Sequence, residues 1–207
     1  EVTSVKSVPR THRPCYGGKD IQRYSLQWGK LACLDDEVAQ SGGCWDSGAQ
    51  NAKNKLLTRQ IGRHPDFAID KAGFQCLNAL FMVNVKDGGP DPRYLLGLLN
   101  SKLLRRYWVD KYFDGRKTFP KIKGTYLKKL PIRLVETDGR NGRAEVKKLC
   151  ALVDRMTSLQ GSLRSTKSET QKRLVQRQID GTDRDIDQLV YKIYGLSDAE
   201  VSVIEAE

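Results

Sequence analysis

Three features of the 207-residue sequence predict an α+β (mixed α/β) fold, in which a mixed sheet and a leucine-rich helix precede a long antiparallel helical hairpin. Short apolar runs punctuated by turn residues fill roughly the first 87 positions. A leucine stripe at helical spacing then follows a glycine-proline breaker, and two heptad-like stripes occupy the C-terminal part. The natural division is residues 1–140 as one domain and 141–207 as a helical module.

Among the strands, Lys55 to Ile61 and Ala79 to Val85 are bounded by polar and glycine-containing stretches, and the second is apolar enough to be buried. Glycines and asparagines between Gly42 and Asn54 predict an exposed loop. Asp87-Gly88-Gly89-Pro90 breaks the pattern, after which Asp91-Pro92 supplies a helix cap followed by proline at the first helical position. Leu95, Leu96, Leu99, Leu103 and Tyr107 then recur at helical spacing. One helix is expected, packing its leucines on the sheet and lifting Lys102, Arg105 and Arg106 toward solvent. Gly115 and Pro120 end that pattern.

The turn-rich segment Asp138-Gly139-Arg140-Asn141-Gly142 reads as a linker. Val146, Leu149, Val153 and Met156 form one stripe, and Val175, Ile179, Thr182, Ile186, Leu189 and Ile193 form the other. The bend falls in Gly161 to Ser168, Gly195 serves as a C-cap, and Ser197 with Glu200 makes a capping box for a last short helix.

Net charge is +11, and the split at Ala144 is informative. The part before it carries 26 Lys and Arg against 14 Asp and Glu, and the part after it 10 against 11. The excess therefore belongs to the first part. A polyanion partner would gain from counterion release there, while a basic face kept for solubility explains the charge equally well. Five cysteines, odd in number and never in a Cys-x-x-Cys pair, fit neither a disulfide framework nor a zinc site. Reduced thiols in a cytoplasmic protein are the simple expectation. No apolar run is long enough for a membrane span or a secretory signal. Residue 1 is Glu rather than Met, which suggests a segment of something longer.

The densest candidate region is Lys102 to Arg133, with eleven basic residues against Asp110 and Asp114. Tyr107, Trp108 and Phe113 read as core. Arg116, Lys117, Lys121 and Lys123 flank Phe119-Pro120 in an irregular stretch from which side chains can reach a groove. Arg59-Gln60-Ile61-Gly62-Arg63-His64 leaves a strand, and Arg and Gln carry the bidentate groups that distinguish guanine from adenine. An ordinary strand end with surface salt bridges fits the same residues. Asn51, Lys53 and Asn54 are weaker candidates. Phosphate anchors are drawn from Lys55, Arg63, Arg116, Lys121 and Lys123, and base readers from Arg59, Gln60, Lys117 and Asn54.

Enzymatic readings lack parts. Two histidines, His12 and His64, are few for a catalytic or metal site, and His64-Pro65-Asp66 reads as a turn. The glycine pairs are isolated turns rather than a phosphate-cradling loop, and no Asn-Pro-Pro-Tyr or Asp-Pro-Pro-Tyr tetrad occurs. A non-catalytic chain is expected, with no cofactor of its own.

Four motifs bear a family resemblance. Gly17-Gly18-Lys19-Asp20-Ile21-Gln22-Arg23-Tyr24, Tyr94 to Leu103 with its Leu-Asn-Ser, Phe119 to Ile132 with its Leu-Pro-Ile, and Ile186 to Leu196 occur in the right order. Together they resemble the Taq-type C-terminal specificity domains of bacterial type IIG restriction-modification enzymes and related adenine-specific DNA methyltransferases. The resemblance implies that residues 1–140 form a target-recognition domain for double-stranded DNA, docked beside a methyltransferase or nuclease domain of the same parent protein. S-adenosylmethionine would belong to that methyltransferase domain, which flips the target adenine. The helical module would hold spacing, dock a partner domain or self-associate. The rival expectation is a helical assembly module with only non-specific DNA affinity. An RNA-binding module is disfavoured for want of an aromatic strand motif.

Overall fold

The computed structural model describes residues 2–35, 46–135 and 140–206. Nine short strands come first: β1 Val2–Ser4, β2 His12–Tyr16, β3 Ile21–Gln22, β4 Ser25–Leu26, β5 Leu31–Leu34, β6 Lys55–Arg59, β7 Phe67–Asp70, β8 Gln75–Cys76 and β9 Leu80–Val83. They build a four-stranded sheet in the order β1-β5-β2-β8, a β3-β4 pair, and a three-stranded sheet in the order β7-β6-β9. The first sheet is mixed, because β2 and β8 run parallel while its other pairs are antiparallel. In the third, β6 is central, with Thr58 opposite both Phe67 and Phe81.

The helices are α1 Ser47–Asn51, α2 Pro92–Asn100, α3 Lys102–Tyr112, α4 Gly124–Leu127, α5 Arg140–Ser165, α6 Glu169–Tyr194 and α7 Asp198–Glu205. None is long and apolar enough to cross a membrane. Every side chain of α2 from Tyr94 to Asn100 is buried, because the helix lies between the third sheet and the hairpin of α5 and α6. Close approach explains Gly97: a Cβ there would stand 2.9 Å from the Leu149 side chain. Leu149, Val153 and Met156 of α5 and Ile179 and Ile186 of α6 share one core with Leu56, Phe67, Leu96 and Trp108. The hairpin is thus packed onto the sheet-bearing part through a continuous apolar interior.

Several predicted boundaries hold. Asp91 caps α2 with Pro92 at its start, Gly195 ends α6 at φ +70°, and Ser197 with Glu200 forms the capping box of α7. Others need correction. The expected single leucine helix is two helices, because Ser101 adopts an extended conformation, ends α2 and caps α3 through Oγ accepting from the Leu104 N–H. Arg105 consequently turns onto His64 instead of standing in solvent. Positions 42–45 of the predicted loop, Cys44 among them, lie outside the described residues. The remainder contains α1, which Asp46 caps and whose Gln50 is buried against Cys76. The predicted linker is in part helix, since α5 begins at Arg140.

Candidate nucleic-acid interface

The chain leaving β6 does not end in a free loop. Gln60 N–H donates to Ala79 O, Ile122 N–H donates to Gln60 O at 2.9 Å, and Gly62 N–H donates to Pro120 O at 2.9 Å. Ile61 and Lys121 form the resulting bridge. Two candidate segments some sixty positions apart in sequence therefore meet at the C-terminal end of β6, through Gln60–Gly62 and Pro120–Ile122. Ile122 is buried beneath this junction while Phe119 projects, 70% exposed at φ +52°. Ile61 is 48% exposed beside it.

Aromatic packing holds the segment between α3 and α4. Trp108 is buried, Tyr112 stacks on Tyr126 at 4.8 Å, and Trp108 meets both edge-on. Trp108 is core as expected, whereas Tyr107 and Phe113 are only half-buried. The Arg63 guanidinium lies over the Phe113 ring at 5.7 Å, and Lys123 over Tyr126 at 5.4 Å. Such contacts pre-position cations while leaving their polar faces available.

Electrostatics divides the candidates. Arg59 donates to Asp66 at 3.3 Å, His64 Nδ1 stands 3.2 Å from the same carboxylate, and Arg105 reaches His64 Nε2 at 2.6 Å. Burial works to raise the Asp66 pKa, but the His64 hydrogen bond and the charges of Arg105 and Arg59 prevail and hold it below the usual carboxylate range. Gln60 Nε2 donates to Leu80 O at 3.4 Å. Arg116 pairs with Asp114. Lys117 and Lys121 are exposed with no acidic partner among the described residues.

Lys55 is a correction. Its ammonium is fully buried, 2.6 Å from the equally buried Asp70 carboxylate, and donates to Gln50 O, Ala52 O and Phe74 O. Such a group cannot reach a phosphate. Residues 55–58 of β6 are buried on both faces, so this lysine points inward where an alternating pattern would expose it. Asn54 is exposed at φ +63°, but it precedes β6, roughly 20 Å of strand from Gln60 at about 3.3 Å per residue. The structure does not bring it to the junction. Arg105, which contacts His64, escaped the sequence reading because that partner is 41 positions away, and Asp66, which holds Arg59 and His64, was read only as part of a turn.

The four sequence motifs have a different role, visible in their contacts. Asp20 closes its turn by accepting from Gly17 N–H. Arg23 donates to Asn100 O at the end of α2 and makes a two-pronged pair with Asp183 of α6 at 2.6 Å. Asn100 in turn pairs its side-chain amide with both backbone groups of Phe67, acting as an extra strand residue beside β7. Asp187 accepts from Lys102 N–H at the start of α3. Tyr194 donates to Pro131 O and accepts from Arg133 N–H. Three of the motifs thus bind the hairpin to the sheet, while the Phe119 to Ile132 motif does both: its Pro131 end meets Tyr194, and its Pro120–Ile122 end forms the junction with Gln60–Gly62.

Residues 13–132, more than half of the chain, match the family model of the TaqI-like C-terminal specificity domain. No curated protein matches the chain. The matched span runs from within β2 to the Leu-Pro-Ile segment and leaves the hairpin outside it.

Proposed function

The chain belongs to the TaqI-like C-terminal specificity domain family, and from that membership we propose that it reads a short sequence in double-stranded DNA for an adenine-N6 DNA methyltransferase or restriction-modification enzyme. The observation that carries this reading is the backbone junction of Gln60–Gly62 with Pro120–Ile122. It joins the segment that holds Arg59, Gln60 and Arg63 to the segment that holds Arg116, Lys117, Lys121 and Lys123. Half-buried residues there have fixed origins, which base reading needs, and exposed lysines have the reach and charge that phosphates need.

Arg59 gives Asp66 one donor and keeps others for a guanine edge, while Gln60 retains its carbonyl and one N–H for adenine. Lys117 joins them as a reader, and Arg63, Arg116, Lys121 and Lys123 are the anchors. Catalysis would come from a separate methyltransferase or nuclease module, which would also hold S-adenosylmethionine. The described cysteines are free and buried, as a reducing cytoplasm would maintain them.

Substitution separates the two classes. Lys121→Gln should weaken binding to all duplexes alike and lower the slope of log affinity against log salt by about one. Gln60→Ala should cost roughly 1–3 kcal/mol and relax one position of the target. Competition titrations at two salt concentrations measure both, and identical behaviour of the two variants would contradict the partition.

A further inference from the structure

Residues 140–194, which form the hairpin, carry 12 Lys and Arg against 7 Asp and Glu, and these charges are segregated along its length. From Arg155 to Arg177 Glu169 is the sole acidic residue, against Arg155, Arg164, Lys167, Lys172, Arg173 and Arg177. The inner end, by contrast, spends its charges on the body: Asp154 pairs with Arg93, Asp183 with Arg23, and Asp187 caps α3. From Asp183 back to Glu169, α6 runs fourteen residues, about 21 Å at 1.5 Å per residue. Along that outer half Arg173 and Arg177 are exposed and have no acidic partner among the described residues.

Local helix physics gives no reason for these two arginines. The dipole of α6 acts within its first turn and does not account for Arg173 or Arg177, further along the helix. Like charges four residues apart repel on one face. Lys172 is relieved by Glu169 at 2.7 Å, and Arg164 and Lys167 lie at the end of α5, where cations are favoured. The acidic neighbours of Arg173 and Arg177 at helical spacing are Glu169 and Asp180, but Glu169 pairs with Lys172 and Asp180 accepts from Gln176. Each arginine precedes a residue of the packing stripe, Val175 and Ile179, by two positions, or about 200° around the helix, so both face outward. A solubilising surface mixes signs, whereas an arm with positive charge in excess complements a polyanion.

We propose that the outer half of the α5–α6 hairpin is a second contact to the DNA backbone, gripping duplex that flanks the segment read at the end of β6. Arg173 and Arg177 lie about 6 Å apart along the axis, close to the axial span of about two phosphates on one strand. The contact is electrostatic and sequence-independent. It rests on the reading of this chain as a duplex-DNA reader.

The test compares Arg173→Gln/Arg177→Gln with Lys121→Gln/Lys123→Gln in the full chain. Binding is read by fluorescence anisotropy on mixed-sequence duplexes of about 12 and about 35 base pairs, lengths chosen from ~3.4 Å per pair to exclude and include the arm. On the longer duplex the arginine variant should lose about two from the salt slope, so its affinity falls roughly tenfold less than the parent's between 50 and 200 mM salt. On the short duplex it should match the parent, while the lysine variant weakens on both. An arginine variant equal to the parent on the long duplex, with the lysine variant weakened, overturns the flanking contact and leaves the reader standing; the arm then suits an acidic protein face. Equal weakening on both lengths also overturns the flanking contact. No salt-dependent duplex binding by the parent overturns both readings.

Discussion

Lys55 and Lys121 are the same residue type, and the fold gives them opposite surroundings. Lys55 faces Asp70 inside the protein, and Asp70 also accepts from the N–H groups of Ala72, Gly73 and Phe74, so this ion pair organises the turn between β7 and β8. Removing one partner of a buried pair leaves the other charged and unsolvated. Lys55→Met should therefore destabilise the chain by about 3–5 kcal/mol, whereas Lys121→Met should leave stability unchanged and weaken DNA binding. Urea denaturation of the two variants checks the contrast, and a Lys55→Met protein as stable as the parent would refute the structural role. The sequence could not separate these lysines: Lys55 opens a predicted strand and Lys121 lies in an irregular stretch, and neither placement fixes which way the side chain faces. What distinguishes them is that β6 is covered on both faces, a property of the assembled fold.

At the scale of elements, the parts visible in the sequence are those whose signals are local. The α5 and α6 stripes, the Asp91-Pro92 start and the Gly195 stop each depend on neighbours a few positions away, and each appears where its pattern falls. The break at Ser101 was hidden because neither glycine nor proline marks it; the serine hydroxyl stabilises it by capping α3. The junction of Ile61 with Lys121 was hidden for a different reason, as it pairs segments distant in sequence. One local rule still gives a clean prediction. Gly181 sits inside α6 with nothing within 4 Å of where a Cβ would be, so no close approach requires a glycine there. Gly181→Ala should stabilise the chain by roughly 0.5–1 kcal/mol, measured by chemical denaturation. A loss of stability would mean that the helix needs to bend at this point.

On the scale of the whole molecule, the hairpin is fixed to the sheet by polar contacts that titrate. Asp187 is buried where it caps α3, and desolvation raises its pKa to about 6 despite the Lys102 N–H. Its unfolded value lies near 3.9. Between those values the native state holds more protons than the unfolded chain, so this group makes stability fall as pH rises from about 4 to about 6. Asp66 and Glu205, whose pKa values are lowered, act in the opposite direction at lower pH. Asp187→Asn keeps an oxygen for Lys102 N–H and removes the ionisation, so it should stabilise the chain by about 1–3 kcal/mol at pH 7 relative to pH 4. Unfolding curves of both proteins across that range measure the difference, and parallel pH profiles would contradict it. The proposed reading of DNA at the end of β6, where it meets the Phe119 loop, rests on different residues. Its most direct test is selection of this chain's ligands from a randomised duplex pool at two salt concentrations, followed by sequencing of the retained DNA. The account predicts enrichment of one short motif that persists at the higher salt and is lost when Arg59 and Gln60 are replaced together; retained DNA with no enriched motif would contradict it.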